Sequence, residues 1–263
     1  MAIVHTERLT KRFGDLVAVN ELGIDVEEGE VFGLLGPNGA GKTTTIKMLN
    51  TLLPPTSGLA IVDGHDVERR SRDVRAIIGY VPQMLSADGS LTAYENLLIF
   101  SKMYDIPREQ RDKRILDALA FMGLSEAKDR LVRTFSGGMI RRLEIAQSTL
   151  HRPKLLFLDE PTIGLDPGAR HAVWQLIARL REDERTTVLL TTHFMEEADL
   201  LCNRIAIMNR GKVVALGTPA DLKASTHSES LDDVFMHFTG EGSESWGSYR
   251  DVERTRKTAR RLG

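Results

Sequence analysis

A mostly parallel sheet covered by helices, an α/β fold, is what this 263-residue sequence predicts, and three observations predict it. Short β-rich runs alternate with amphipathic helical stretches. A Gly-rich turn follows one apolar run and opens a helix, the order of a phosphate-binding βα unit. Between Gln83 and His151 strand signals are nearly absent. Apolar residues there recur at helical spacing, as in Ile115, Leu116, Leu119 and Met122, so this block reads as a helical insert between two parts of the sheet.

In chain order, Val31-Phe32-Gly33-Leu34-Leu35 reads as a buried strand. After the Gly-rich turn, Lys42 to Leu52 reads as a helix stopped by Pro54-Pro55. Later strands are expected at Ile77 to Val81, Leu155 to Leu158, Thr187 to Leu190 and Ile205 to Met208. Arg210-Gly211 is a hairpin signal before a further strand, Lys212 to Leu216. From Gly240 the composition shifts: Glu241-Gly242-Ser243-Glu244-Ser245 reads as a linker. A basic tail follows, with Arg250, Arg254, Arg256, Lys257, Arg260 and Arg261 against Asp251 and Glu253. That tail is expected to be solvated; contact with anionic lipid or a partner's loops is the sharper alternative.

Composition narrows the class. A chain that is 41% hydrophobic and 27% charged has enough apolar content for a packed core and lies far from a disordered composition. A single cysteine, Cys202, excludes an intrachain disulfide or a Cys-based metal cluster and fits a reducing compartment. No apolar run approaches the roughly 18 residues of a spanning helix. The start Met1-Ala2-Ile3-Val4-His5 has no basic-then-apolar signal pattern, so an intracellular globular protein is expected. A net charge of −2 gives no global pull toward nucleic acid.

The chemistry begins at Gly36-Pro37-Asn38-Gly39-Ala40-Gly41-Lys42-Thr43-Thr44, which fits G-x-x-x-x-G-K-[ST]. Glycines let backbone N–H groups turn inward around an anion, and the helix N-terminus adds a favourable dipole. Lys42 supplies a mobile positive charge for the β- and γ-phosphates. Thr43 offers a hydroxyl to Mg²⁺, and Thr44 can reach a further phosphate. The apolar run Leu155 to Leu158 then delivers Asp159 and Glu160 to a strand end, where α/β sheets bind ligands. Asp159 is expected in the Mg²⁺ shell, and Glu160 to orient or deprotonate the attacking water. Ser136-Gly137-Gly138, ahead of a helix read as Ile140 to Leu150, is a second candidate phosphate cradle. Its presence suggests two anions, or a dimer in which each cradle completes its partner's site. His193, after Val188-Leu189-Leu190, stands at a strand end. His5, His65, His151, His171, His227 and His237 read as surface or capping residues. The apolar residues after Gln83, such as Leu97 and Ile99, read mostly as helix core.

The P-loop, Val81-Pro82-Gln83, Ser136-Gly137-Gly138, Leu158-Asp159-Glu160-Pro161-Thr162, Gly164-Leu165-Asp166-Pro167 and Thr192-His193 occur in this order. That set resembles the ATP-binding-cassette (ABC) ATPases over about residues 2 to 240, and it is highly specific. The resemblance implies a P-loop NTPase ABC ATPase fold: a RecA-like mostly parallel core, an N-terminal antiparallel β part and an α-helical subdomain at about 84–151. The ATP-binding domain would span 1–240, with 241–263 as linker and tail. It implies ATP and Mg²⁺, bound by Gly36, Asn38, Gly39, Gly41, Lys42, Thr43 and Thr44, with Phe13 as the aromatic that stacks on adenine. Gln83 would touch the metal, beside Thr43 and Asp159, and link to a membrane partner docked near the helices that follow. Ser136, Gly137 and Gly138 would reach the ATP held by the opposite subunit, and Asp166 would sit across that dimer. Glu160 would be the base, with Lys42 and His193 completing the catalytic set.

Two departures from the family pattern stand out. Phe13 replaces the usual Tyr, keeping the π-face and losing the hydroxyl. Phe135 and Met139 replace the ends of L-S-G-G-Q, so any bond made by the Gln amide is lost. That variant, with Met139 to Ala146 and Leu231-Asp232-Asp233-Val234-Phe235 before Thr239-Gly240, looks like the daunorubicin-resistance-type exporter ATPases. The likeness implies an ABC-2-type transmembrane permease as partner, a homodimer of cassettes on the cytoplasmic face of the membrane, and export of a hydrophobic or amphiphilic compound. A soluble ABC ATPase acting on a ribosome or nucleic acid is the alternative. Such chains usually carry two cassettes or a long coiled coil, and the 116 residues from Thr43 to Asp159 leave no room for a long coil. An Asn/Thr-Lys-x-Asp guanine-reading motif is absent, against a GTPase. An importer subunit is disfavoured by the signature variant and the 231–240 segment.

Overall fold

The chain opens as antiparallel sheet. In the computed structural model, which describes residues 2–240, β1 (Ala2–Phe13), β2 (Leu16–Leu22) and β3 (Asp25–Glu27) precede β4 (Val31–Leu35) and α1 (Lys42–Leu49). There follow β5 (Ser57–Val62), β6 (His65–Asp66), α2 (Ser71–Ile77) and β7 (Ile78–Val81). The strand-poor block folds as α3 (Ala93–Met103), α4 (Arg108–Phe121), two short 3-10 turns and α5 (Gly137–Thr149). Sheet and helix then alternate: β8 (Leu155–Asp159), α6 (Pro167–Glu184), β9 (Thr187–Thr192), α7 (Met195–Leu201) and β10 (Arg204–Asn209). β11 (Lys212–Gly217), α8 (Pro219–Ser225) and α9 (Leu231–Thr239) complete the described residues. The basic tail lies outside them.

Two sheets result. One is antiparallel, ordered β2-β1-β5-β6 with β3 also on β1. The other is ordered β11-β10-β4-β9-β8-β7 and is parallel except for the β10–β11 hairpin. The inner strands β4, β8 and β9 of the second sheet are buried at every position because both their faces are covered, whereas the edge strand β11 is partly exposed along its length. In β8, Leu155 and Phe157 face one core, shared with the antiparallel sheet and α1, while Leu156 and Leu158 face a second, shared with the helical block, α6 and α9. In β9, Leu189 likewise joins the first core and Val188 and Leu190 the second.

Several boundaries differ from the sequence reading, three of them for clear local reasons. The helix after the P-loop stops at Leu49 rather than Leu52, because Asn50 is its C-cap and Thr51 turns left-handed at φ 68°. The helix after the second cradle starts at Gly137 rather than Ile140, because the Ser136 hydroxyl caps it by accepting from the Met139 N–H at 3.3 Å. Ile77 closes α2, so β7 begins at Ile78. Among the apolar residues after Gln83, Leu97 is fully buried and Tyr94, Leu98 and Phe100 pack against the core, as the helix-core reading expects of most of them, while Ile99 is 44% exposed.

His151 is neither a surface nor a capping residue. It stacks on Tyr104 with centroids 3.7 Å apart, and its Nε2 meets the Ile78 carbonyl at 3.0 Å, tying the end of α3 to β7. Burial pushes it down to about 4, against the opposing pull of that carbonyl. A histidine whose folded pKa lies below its unfolded value is protonated preferentially when unfolded. Its contribution is therefore complete above pH 6.5 and is lost as pH falls toward 4. The loss is at most about 3 kcal/mol. Melting temperatures of parent and His151→Gln should therefore converge, and can cross, on acidification through that window; a constant difference contradicts this role.

Candidate active site

The sheet register assembles the site. Leu35 pairs with Thr192 and Asp159 with Thr191, so the ends of β4, β8 and β9 lie side by side. Val81 pairs with Leu158, which brings Pro82-Gln83 to the same edge. This is the carboxyl edge of a parallel sheet, where loops gather around ligands.

The turn between β4 and α1 depends on Gly41. Its φ of 104° suits glycine, and a Cβ there would lie 2.5 Å from the Ala18 carbonyl oxygen. Lys42 curls onto the turn, its Nζ donating to the carbonyls of Gly36 at 2.7 Å and Pro37 at 3.2 Å. It also stands 3.7 Å from Glu160 Oε1. Burial pushes the Lys42 ammonium below its ordinary range, opposed by the charges of Glu160 and Asp159.

Asp159 is 1% exposed. It accepts from the hydroxyls of Thr43 at 3.0 Å and Thr191 at 2.7 Å. Burial raises its carboxyl and these two bonds oppose the shift. Glu160 adopts φ 50°, an uncommon left-handed conformation for a residue with a Cβ, and its N–H is held by the Thr191 carbonyl and hydroxyl at 3.1 and 3.0 Å. Its Oε2 lies 3.3 Å from His193 Nδ1 and accepts from the Gln83 amide at 3.3 Å. Burial alone would raise the Glu160 carboxyl. The hydrogen bond and charge of His193, with Lys42, outweigh burial and hold it below the usual range, so it is ionised at neutral pH.

A cleft of about 560 Å³ opens beside these groups. It brings together Phe13, Asn38, Gly39, Gly41, Lys42, Thr43, Thr44, Gln83 and Glu160. Phe13 is 48% exposed and carries Lys11 Nζ 5.4 Å from its ring centroid, which leaves an open aromatic surface at the rim. The cleft is also lined by Leu16, Val17, Ala18 and Arg210, which sequence reasoning did not place there. They arrive through long-range pairing: Gly211 N–H donates to the Ala40 carbonyl at 3.1 Å, and Asn20 N–H to the Gly211 carbonyl at 2.8 Å. Arg210-Gly211 signalled a hairpin, but nothing local signalled what the hairpin would touch.

Ser136, Gly137, Gly138 and Asp166 do not line this cleft. They lie instead at the starts of two helices that pack together. A Cβ on Gly138 would lie 2.6 Å from the Ala169 Cβ, and Gly137 faces Leu165, so the start of α5 packs on the start of α6. Asp166 caps α6 by accepting from the Ala169 N–H at 2.9 Å. Ser136 and Gly137 are exposed. No group of three or more metal-ligating side chains stands together among the described residues. The Thr43 hydroxyl with the Asp159 carboxylate is nonetheless a pair of hard oxygen donors suited to Mg²⁺, which keeps most of its ligands from water and substrate phosphates.

The ABC transporter family profile matches residues 19–163. The chain is 46% identical to the daunorubicin/doxorubicin resistance ATP-binding protein DrrA of Streptomyces peucetius, over 87% of this chain and 69% of that protein. It is 41% identical to the linearmycin resistance ATP-binding protein LnrL of Bacillus subtilis (strain 168), over 84% of this chain and 70% of that protein. A dimeric, post-hydrolysis structure of the ATP-binding cassette MJ0796, bound to ADP and Pi, superposes with a TM-score of 0.73 at 28% identity, over 82% of this chain and 98% of that one.

Proposed function

This chain belongs to the ABC transporter family as an ATP-binding and ATP-hydrolysing subunit, and on that footing we propose that it powers export of a hydrophobic or amphiphilic compound through a separate ABC-2-type permease. The observation that carries the reading is the split of the predicted set: one group lines the cleft or, like Gly36, Asp159 and His193, directly contacts its lining, while Ser136, Gly137, Gly138 and Asp166 do not line it. A second cassette placed head-to-tail would bring its own cradle to this cleft, and the two copies would bind two ATP molecules between them.

In this reading Lys42 leaves the Gly36 and Pro37 carbonyls and turns to the β- and γ-phosphates. Thr43 and Asp159 would hold Mg²⁺, with Gln83 adjoining; the ion, when bound, neutralises charge on the transferring phosphoryl group. Glu160, kept ionised, accepts the proton of the water that attacks the γ-phosphate, and His193 fixes the Glu160 carboxylate and faces the same phosphate. Loss of the bond to the γ-phosphate removes the contacts of Ser136 and Gly138 across the dimer and lets it open. Gln83 passes that opening to the loop and helices that follow it.

Phe13 supplies the stacking surface for adenine. Phe13→Ala should raise the KM for ATP about fivefold or more with kcat nearly unchanged, and Phe13→Tyr should restore it. An unchanged KM for Phe13→Ala contradicts that role.

No helix among the described residues is long and apolar enough to cross a membrane. In the exporter reading the chain would sit at the cytoplasmic face, held by its permease, with residues 1–240 as the ATP-binding domain and 241–263 as linker and tail. Purification from detergent-solubilised membranes of the source cell tests the reading. A polytopic membrane protein should co-purify in comparable amount; recovery with ribosomes, and none from membranes, contradicts it.

A further inference from the structure

We propose that Phe194 and Arg170 are positioning residues for His193, and that their stack makes the placement of α6 set the aim of His193 at Glu160. The inference rests on the role given above to His193 and Glu160. The Arg170 guanidinium lies 4.1 Å from the Phe194 ring centroid, and the Phe194 and His193 rings stand 4.2 Å apart at 38°. His193 Nδ1 in turn lies 3.3 Å from Glu160 Oε2. A continuous line of contacts thus runs from α6 to the carboxylate. Its far end is one helical turn from Asp166, whose carbonyl accepts the Arg170 N–H at 2.9 Å.

Three features argue that this contact has a purpose beyond filling space. First, Phe194 is the N-cap of α7 and makes no side-chain capping bond. Ser, Thr, Asn or Asp would stabilise that helix start better, so the ring is kept at a cost to the helix. Second, the Nε of Arg170 is buried without a hydrogen-bond partner. Its guanidinium is therefore held less by directed hydrogen bonding than by the aromatic face and by the nearby charge of Glu197. Third, Glu197 is fully buried and accepts from the Thr162 hydroxyl at 2.9 Å and the Trp174 indole at 2.8 Å. That carboxylate pins α7 to α6 and to the segment just after Glu160, which fixes the frame around the stack.

The test is steady-state ATPase kinetics and melting of Phe194→Asn, Phe194→Leu, Phe194→Tyr and Arg170→Met, with His193→Ala as reference. Phe194→Asn improves the helix cap while removing the ring. It should not lower the melting temperature, yet kcat should fall about tenfold, with the KM for ATP changed by less than about twofold. Phe194→Leu and Arg170→Met should lower kcat similarly, and the double variant should be no worse than either single one because both break the same stack. Phe194→Tyr should stay near the parental rate. Parental kcat in Phe194→Asn or Phe194→Leu, with His193→Ala inactive, overturns the stack and spares the role of His193. An equal fall in Phe194→Tyr and Phe194→Leu also overturns it, since the aromatic face would then not matter. Parental activity in His193→Ala overturns the reading of His193, and the stack with it.

Discussion

Replacing Glu160 by Gln should lower ATP turnover about 10²- to 10⁴-fold, the range of a positioned general base, and should leave nucleotide binding nearly intact. The change is isosteric and removes only charge and basicity. Lys42 and Thr43 remain to hold phosphate, and the left-handed backbone at residue 160 is unchanged. Binding without cleavage should trap the ATP-bound dimer, seen as a doubling of mass by light scattering with ATP and not with ADP. Lys42→Ala should behave differently, because it removes the buried cation of the cleft: affinity itself should fall and no trapped dimer should form. A Glu160→Gln protein that hydrolyses ATP at the parental rate shows that the base is another group.

Glu144→Ala should be strongly destabilising although Glu144 lies outside the cleft. Arg141 is 1% exposed, and its guanidinium donates to Glu144 Oε2 at 3.0 Å, the Pro82 carbonyl at 2.7 Å and the Gln83 carbonyl at 2.8 Å. Glu144 Oε1 accepts from the backbone N–H of Ser86 and, at 3.3 Å, of Ala87. The pair thus straps both sides of the loop carrying Gln83 onto α5, a few residues from Ser136. Burial pushes Arg141 down and Glu144 up, and each partner's charge opposes the shift. Removing one partner leaves the other charge buried and uncompensated, at about 3–5 kcal/mol. For a chain of this size that is a fall of about 10 °C in melting temperature. Arg141→Met/Glu144→Leu removes both charges and should recover part of that loss. Activity should not recover with it, because Gln83 then lacks its anchor. A double variant as active as the parent contradicts the strap.

Much of this was legible in the sequence because the signals were local. Gly41 and Lys42 stand at fixed spacing after an apolar strand, and Asp159 and Glu160 end another, so strand order alone brings them together at one sheet edge. The strand-poor stretch from Gln83 to His151 was readable as helices. What was not legible depends on distant pairing. Arg210 reaches the cleft only because its hairpin bonds to Ala40, and Arg141 looks in the sequence like one more solvated charge on a helix. Its burial follows from the loop folded over α5, which no periodicity encodes. His151 was misread for the same reason: its partners, Tyr104 and Ile78, lie 47 and 73 residues away. Phe194 carries no pattern at all; its meaning comes from Arg170 on another helix.

The most direct test of the account is a mixing experiment with two inactive variants, Lys42→Ala and Ser136→Arg, assayed for ATP hydrolysis alone and together. Each variant keeps the half of the site that the other has lost. If the cleft of one copy is completed by the cradle of a second, mixed dimers hold one intact site, and activity should return to at most about a quarter of the parental rate. If the mixture stays as inactive as its components while mixed dimers are shown to form, each site is built within a single chain, and the head-to-tail account is wrong.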